Sequence, residues 1–253
     1  MKDKGNNIIL LQEILLNTTY HIDELHKTID VLAIRDGKNK TMLSFLIRER
    51  QLFEAAYLLL EGYNTNQKLR FPILLLLRTG VLDFITLSYL LNIHDKSDFS
   101  NAIKSLDRKI VKRLYKNVCS ADSGYSVAEN KKHLELLVSA FPDQFINTTS
   151  KLRDGIKPLE PTELAGILKT EMLKDYKYAY DIYSLLSVFE HYQSAGDSFL
   201  NQSIIDAFEN FIIGSILMIT GVSFIFNYFN APEDLKQKIR TELFKFDQFQ
   251  QKD

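Results

Sequence analysis

Cysteine is nearly absent: Cys119 stands alone in a chain of 253 residues. One thiol excludes an internal disulfide and any zinc site built from several cysteines, and it fits a reducing cytoplasm, which is the expected location. Proline and glycine are scarce, with five and ten copies. With so little punctuation, long Leu/Ile/Lys/Glu-rich segments run on uninterrupted, which favours helices over short strands. Charge of one sign is lacking too, since 31 Lys+Arg nearly cancel 32 Asp+Glu. No global field then attracts nucleic acid or acidic lipid, and any such binding must be local. Lys2 and Lys4 precede an apolar Ile8–Leu16, but Gln12 and Glu13 interrupt it and no small-residue cleavage site follows, so no signal peptide is expected. The sequons at Asn17, Asn147 and Asn201 therefore carry no weight. There is no Walker loop, no GxGxxG and no HExxH, and His21 and His26 are five apart rather than the three or four that share a helix face. Neither a cofactor nor a metal is expected.

What the chain does have is apolar length. Its 45% hydrophobic and 25% charged content is that of an ordinary globular protein, and 253 residues suffice for one sizeable core. The expected fold is all-α: a single domain over 1–253, about eight helices around a buried central helix at 71–94. Phe71–His94 carries only Arg78 and Asp83 as formal charges, and a helix hydrophobic on every side sits inside a protein or a membrane. A guanidinium there must find acceptors. Asp83 is the wrong partner, because five residues along a helix place the two about 140° apart, so the acceptors must come from another helix. A second run, Asn210–Pro232, has no charge at all. Gly214, Ser215, Thr220, Gly221 and Ser223 dilute it and suit close helix contact. Both runs are expected to be buried in protein rather than to span a membrane.

In order, the pattern predicts helices over Asn7–Ala33, Lys40–Glu61, the 71–94 run, Ser97–Asn117 with a cap at Ser97 or Ser100, and Val127–Ala140. Phe141–Pro161 holds three of the five prolines and Asp154-Gly155 and reads as a loop or hinge. Helices then follow from Pro161 to about Met172, over Lys174–Ser194, Gln202–Asn227 and Pro232–Phe249.

Two helices carry candidate sites. In KSLDRKIVKRLYK, Lys104, Arg108, Lys112 and Lys116 recur every four residues with Lys109 and Arg113 beside them. This cationic ridge could hold RNA, a phosphate-bearing ligand or an acidic partner, although a charge run is most often a solvated face. Further on, Tyr176, Tyr180, Tyr183, Ser187, His191 and Ser194 step by three or four and form one stripe of hydroxyls and an imidazole. Arg78 is expected to dock there. Ser187 and His191 are one turn apart, but a serine nucleophile also needs an oriented base and an oxyanion hole, and no Gly-rich elbow accompanies it.

The order LLLLRTGVLDFITLSYLL, PTELAGILK, then Y-x3-Y-x2-Y-x3-S-x3-H resembles an uncharacterised bacterial all-helical family, a domain of unknown function. The likeness runs from about Leu52 to Phe229, with Arg78, Tyr183, Ser187 and His191 at its recurrent polar positions. The chain departs in having Leu82 where an acid usually follows the arginine by one turn. That family is distantly HEPN-like, and the resemblance implies either a helical binding module or a ribonuclease in which arginine stabilises phosphate and histidine moves protons. None of His21, His26, His94, His133 and His191 has an arginine four to seven residues upstream, so the nuclease motif itself is missing. The expected function is a non-enzymatic binding or interaction module, with a protein partner or a second copy as possible partners. The alternative is a HEPN-like nuclease or phosphate-substrate hydrolase using His191, Arg78 and Ser187.

Overall fold

The structure, a computed structural model, describes residues 2–29, 36–63, 65–66, 69–120, 124, 126–146, 150–171, 173–191 and 204–250. It is all-α, and among the described residues there is no strand beyond an isolated antiparallel bridge between Phe145 and Leu152. The helices are α1 Lys2–Thr28, α2 Gly37–Tyr63, α3 Arg70–Leu91, α4 Lys96–Cys119, α5 Val127–Ala140, α6 Pro161–Leu164, α7 Ala179–His191, α8 Ile204–Tyr228, α9 Glu233–Lys245 and α10 Asp247–Gln250. Two compact units divide the chain: Met1–Ser88 with Ala165–Asp253, and Tyr89–Leu164. The first boundary falls inside α3.

In the larger unit α1 packs on α2, α8 and α9. Leu11, Ile14, Leu15, Ile22 and Leu25 of α1 and Met42, Leu46, Phe53 and Leu60 of α2 are all but removed from solvent, the three-and-four spacing that gives a helix one apolar face. In α3, every residue of Val81–Ser88 but Leu82 is buried, so this stretch is surrounded on all sides, as its composition requires. α3 meets α8 at glycines. A Cβ on Gly80 would come within 2.5 Å of the Met218 side chain, and one on Gly214 within 3.3 Å of Leu77. The small residues in the charge-free run thus set a close helix approach. Both α3 and α8 are long and apolar enough to cross a membrane, and both are mostly buried in the protein.

In the smaller unit α4 packs on α5 and on the 3-10 turn Pro142–Gln144, around Val111, Leu137 and Phe145. The cap of α4 is neither Ser97 nor Ser100. Asp95 takes that place, its carboxylate accepting the backbone N–H of Ser97 and Asp98, and the acid gains further from the positive end of the helix dipole. Ser126 and Glu129 close a reciprocal capping box on α5. The segment expected to be helical from Lys174 begins instead as a 3-10 turn, Lys174–Tyr176, and becomes α-helix only at Ala179. Tyr176 is therefore off the α7 stripe, its ring packed edge-on against Phe84 at 5.5 Å.

Candidate functional site

Arg78 leaves α3 half-buried and reaches α7. Its Nε–H donates to Ser187 Oγ at 2.9 Å and Nη2 donates to the Tyr183 hydroxyl at 3.3 Å, while the guanidinium lies 5.2 Å from the Tyr183 ring centroid. Cation–π attraction from the Tyr183 ring and the two hydrogen bonds act on the same guanidinium. Ser187 is occupied twice, for it also donates its own proton to the Tyr183 carbonyl at 2.7 Å. Tyr180 joins through its ring, 6.0 Å from that of Tyr183. The expected docking of Arg78 on the tyrosine–serine stripe is thus present, although the arginine is half-buried rather than deep in the core. His191 ends α7, and its side chain lies outside the described residues, as does Ser194. A hydroxyl that accepts from a guanidinium and donates to a helix carbonyl has its polar capacity filled in a structural manner. Chemically the cluster is a cationic clamp with phenolic and hydroxyl acceptors.

A second cluster lies on α2 and α3. Arg48 grips Asp83 with two donors, Nε to Oδ2 and Nη2 to Oδ1, the latter at 2.6 Å, and its guanidinium stacks 4.8 Å from the Phe45 ring. Next to Arg48, Glu49 is only 3% exposed, and its Oε2 has no hydrogen-bond partner among the described residues. Burial, and then the charge of Asp83, push the Glu49 carboxyl well above the usual range against the pull of Arg48. Burial also raises Asp83, to about 6, despite the ion pair. Sequence reasoning passed over Glu49, yet a signal existed: it falls on the buried register Met42, Phe45, Leu46, Leu52, Phe53 of α2.

The cationic ridge of α4 is not one surface. Arg108 is 3% exposed. It donates from Nη1 to Gln144 Oε1 at 3.2 Å and from Nη2 to the Arg153 carbonyl, and Gln144 in turn donates to the Lys104 carbonyl at 2.7 Å. A row with a four-residue step drifts about 40° per step on a helix of 3.6 residues per turn. The row therefore begins against the 142–153 segment at Lys104 and Arg108 and reaches solvent only at Lys112 and Lys116. Lys104 lies 3.8 Å from Asp143, and Lys109 pairs with Glu160 at 2.8 Å. Arg108 is thus withdrawn from the candidates for an anionic partner, while Lys109, Lys112, Arg113 and Lys116 stay exposed. The irregular 141–161 stretch is tied to α4 through these contacts and through Leu159 N–H to the Ser105 carbonyl at 3.1 Å.

The smaller unit also holds an open polar cleft of about 630 Å³, lined by Asn92, His94, Asp95, Asp98, Asn101 and Ser105 among others. No group of His, Cys, Asp and Glu among the described residues has the arrangement of a metal site.

Fold and site together define an all-α protein with an arginine clamp between α3 and α7. Compared with protein-family models, curated proteins and solved structures, the chain matches none of them.

Proposed function

We propose that this is a cytoplasmic, non-enzymatic helical binding or interaction protein, distantly related to the bacterial HEPN-like family its motifs resemble. In this reading Arg78, Tyr183 and Ser187 form a polar network that fixes α7 against α3, with the Tyr180 ring packed beside it. The observation that carries it is the double engagement of Ser187: its oxygen accepts from Arg78 at 2.9 Å and its proton goes to the Tyr183 carbonyl at 2.7 Å. A serine so held is no nucleophile, and a guanidinium already engaged by Ser187 and Tyr183 is poorly placed to meet a phosphate. The test is to incubate the purified chain with single-stranded and hairpin RNA beside His191→Ala and Arg78→Met. No cleavage is expected from any of the three, and Arg78→Met should lower the melting temperature. RNA degradation by the wild type that disappears in a normally folded His191→Ala protein would overturn the reading and favour the HEPN-like nuclease.

A further inference from the structure

We propose that the outer face of the C-terminal half of α4 docks on an anionic lipid surface. The inference goes beyond the reading above, since it concerns the Tyr89–Leu164 unit and holds whether or not His191 does chemistry. At about 100° per residue, Lys109, Lys112, Arg113 and Lys116 share roughly 100° of arc, Ile110 and Leu114 follow about 60° and 100° beyond its Arg113 edge, and the buried Val111 and Arg108 with the half-buried Tyr115 close the other side. Ile110 is 58% exposed and Leu114 41%. Lys109 is paired with Glu160. Lys112, Arg113 and Lys116 form no ion pair among the described residues, and the half-buried Asp107 falls about 120° from Arg113, next to Leu114. The result is a short helical face on which Lys112, Arg113 and Lys116 carry no ion pair among the described residues, beside the exposed Ile110 and Leu114.

Charge and size choose the occupant. RNA would satisfy the cations but has no use for the aliphatic pair. The aromatic residue of this half-helix, Tyr115, is turned inward, its ring 6.1 Å from that of Phe145, so no base can stack on this face. A specific protein partner needs about 800 Å² on each side, more than two helical turns about 10 Å long can offer. A bilayer containing acidic lipid asks for neither stacking nor a shaped partner. Lysine and arginine heads meet phosphate and carboxylate headgroups while Ile110 and Leu114 enter the boundary with the acyl chains.

Flotation of the full chain with vesicles of phosphatidylcholine, with or without phosphatidylserine, tests this. Binding is expected only where phosphatidylserine is present, with release at high salt. The triple variant Lys112→Glu/Arg113→Glu/Lys116→Glu should partition at least about tenfold more weakly. Ile110→Ser/Leu114→Ser should weaken binding as well, though it changes no charge, and this second result separates lipid docking from simple cation condensation. Both variants alter only outward side chains, and unchanged melting temperatures would confirm that they fold. If the triple variant does not fold, Lys112→Gln/Lys116→Gln with a salt titration of the wild type replaces it. The proposal is overturned by equal flotation with neutral vesicles, by no flotation, or by variants that float like the wild type. It is also overturned if the chain ignores vesicles but binds fluorescent single-stranded RNA in a way that the triple variant loses and Ile110→Ser/Leu114→Ser keeps. Cleavage of that RNA dependent on His191 would contradict the interaction reading and leave the vesicle result standing.

Discussion

Glu49 is the residue whose position conflicts most with its chemistry. A carboxyl sealed in an apolar helix face holds its proton to well above the usual carboxylate range, because ionisation in a low dielectric is opposed by burial and by Asp83. In the unfolded chain the same group titrates near 4.5. Its folded value is raised, so the stability it allows is full below that pH and is lost as pH rises toward the folded value. Asp83 acts in the same direction between its ordinary 3.8 and about 6. Glu49→Gln mimics the protonated acid and removes the loss. Thermal melts should show the variant more stable than the wild type at about pH 8 and indistinguishable from it at about pH 4; a variant less stable at both would refute the assignment. Arg78 is the opposite case, a charge well supplied with acceptors. Arg78→Met should destabilise by about 1–2 kcal/mol in urea unfolding, and Arg78→Lys should recover little of it, since an ammonium cannot fork between Ser187 and Tyr183 while stacking on the ring. A double-mutant cycle with Ser187→Ala should give a coupling of about 1 kcal/mol if the contact is as described.

Among the elements, α4 shows how one helix changes its task along its length. Its row of cations was legible in the sequence, but the row's drift around the helix, and the 142–153 segment folded over its beginning, were not. Arg108 is consequently a staple and not a ligand-binding residue. Arg108→Met should leave the Gln144 side chain and the Arg153 carbonyl short of a donor, and amide exchange at Phe145, Ile146 and Arg153 should rise while α1 and α2 stay protected. Exchange unchanged in that segment would show that the staple is dispensable. The α3–α8 crossing belongs to the same scale. Gly80→Val pushes a branched side chain into Met218, already within 2.5 Å of a modest Cβ, and should lower stability by about 1–3 kcal/mol, with Met218→Ala restoring part of it.

Across the molecule, carboxylates of opposite tendency shape the pH dependence. Glu242 of α9 is buried and, although burial opposes it, His21 at 3.8 Å and the hydrogen bond from Lys245 hold its carboxyl below the usual range. Asn17 donates to it as well, at 3.4 Å, and Lys238 pairs with Glu24 at 2.9 Å, so the α1–α9 seam is laced by charge. A depressed carboxylate contributes stability above its unfolded value and loses it as pH falls. Glu242 thus favours pH above about 4.5, whereas Glu49 and Asp83 favour pH below their raised values. Stability should therefore peak in mildly acidic solution rather than at neutrality, and Glu242→Gln should shallow the acid limb while Glu49→Gln shallows the alkaline one and leaves Asp83's share of it. Melting temperatures across the pH range for the two variants would show whether each limb belongs to its residue.

Composition and periodicity alone determined that the chain is helical, that α3 must be largely buried, and that Arg78 must meet oxygens from elsewhere, because scarce glycine and proline, apolar spacing and the expense of an unpaired charge are local properties. Only the tertiary structure decided which oxygens face Arg78, that Asp83 belongs to Arg48, that Glu49 is sealed, and that Arg108 points inward while Lys112 and Lys116 do not. Those outcomes depend on which helix or loop covers a given arc of another, and that information lies in residues far apart along the chain.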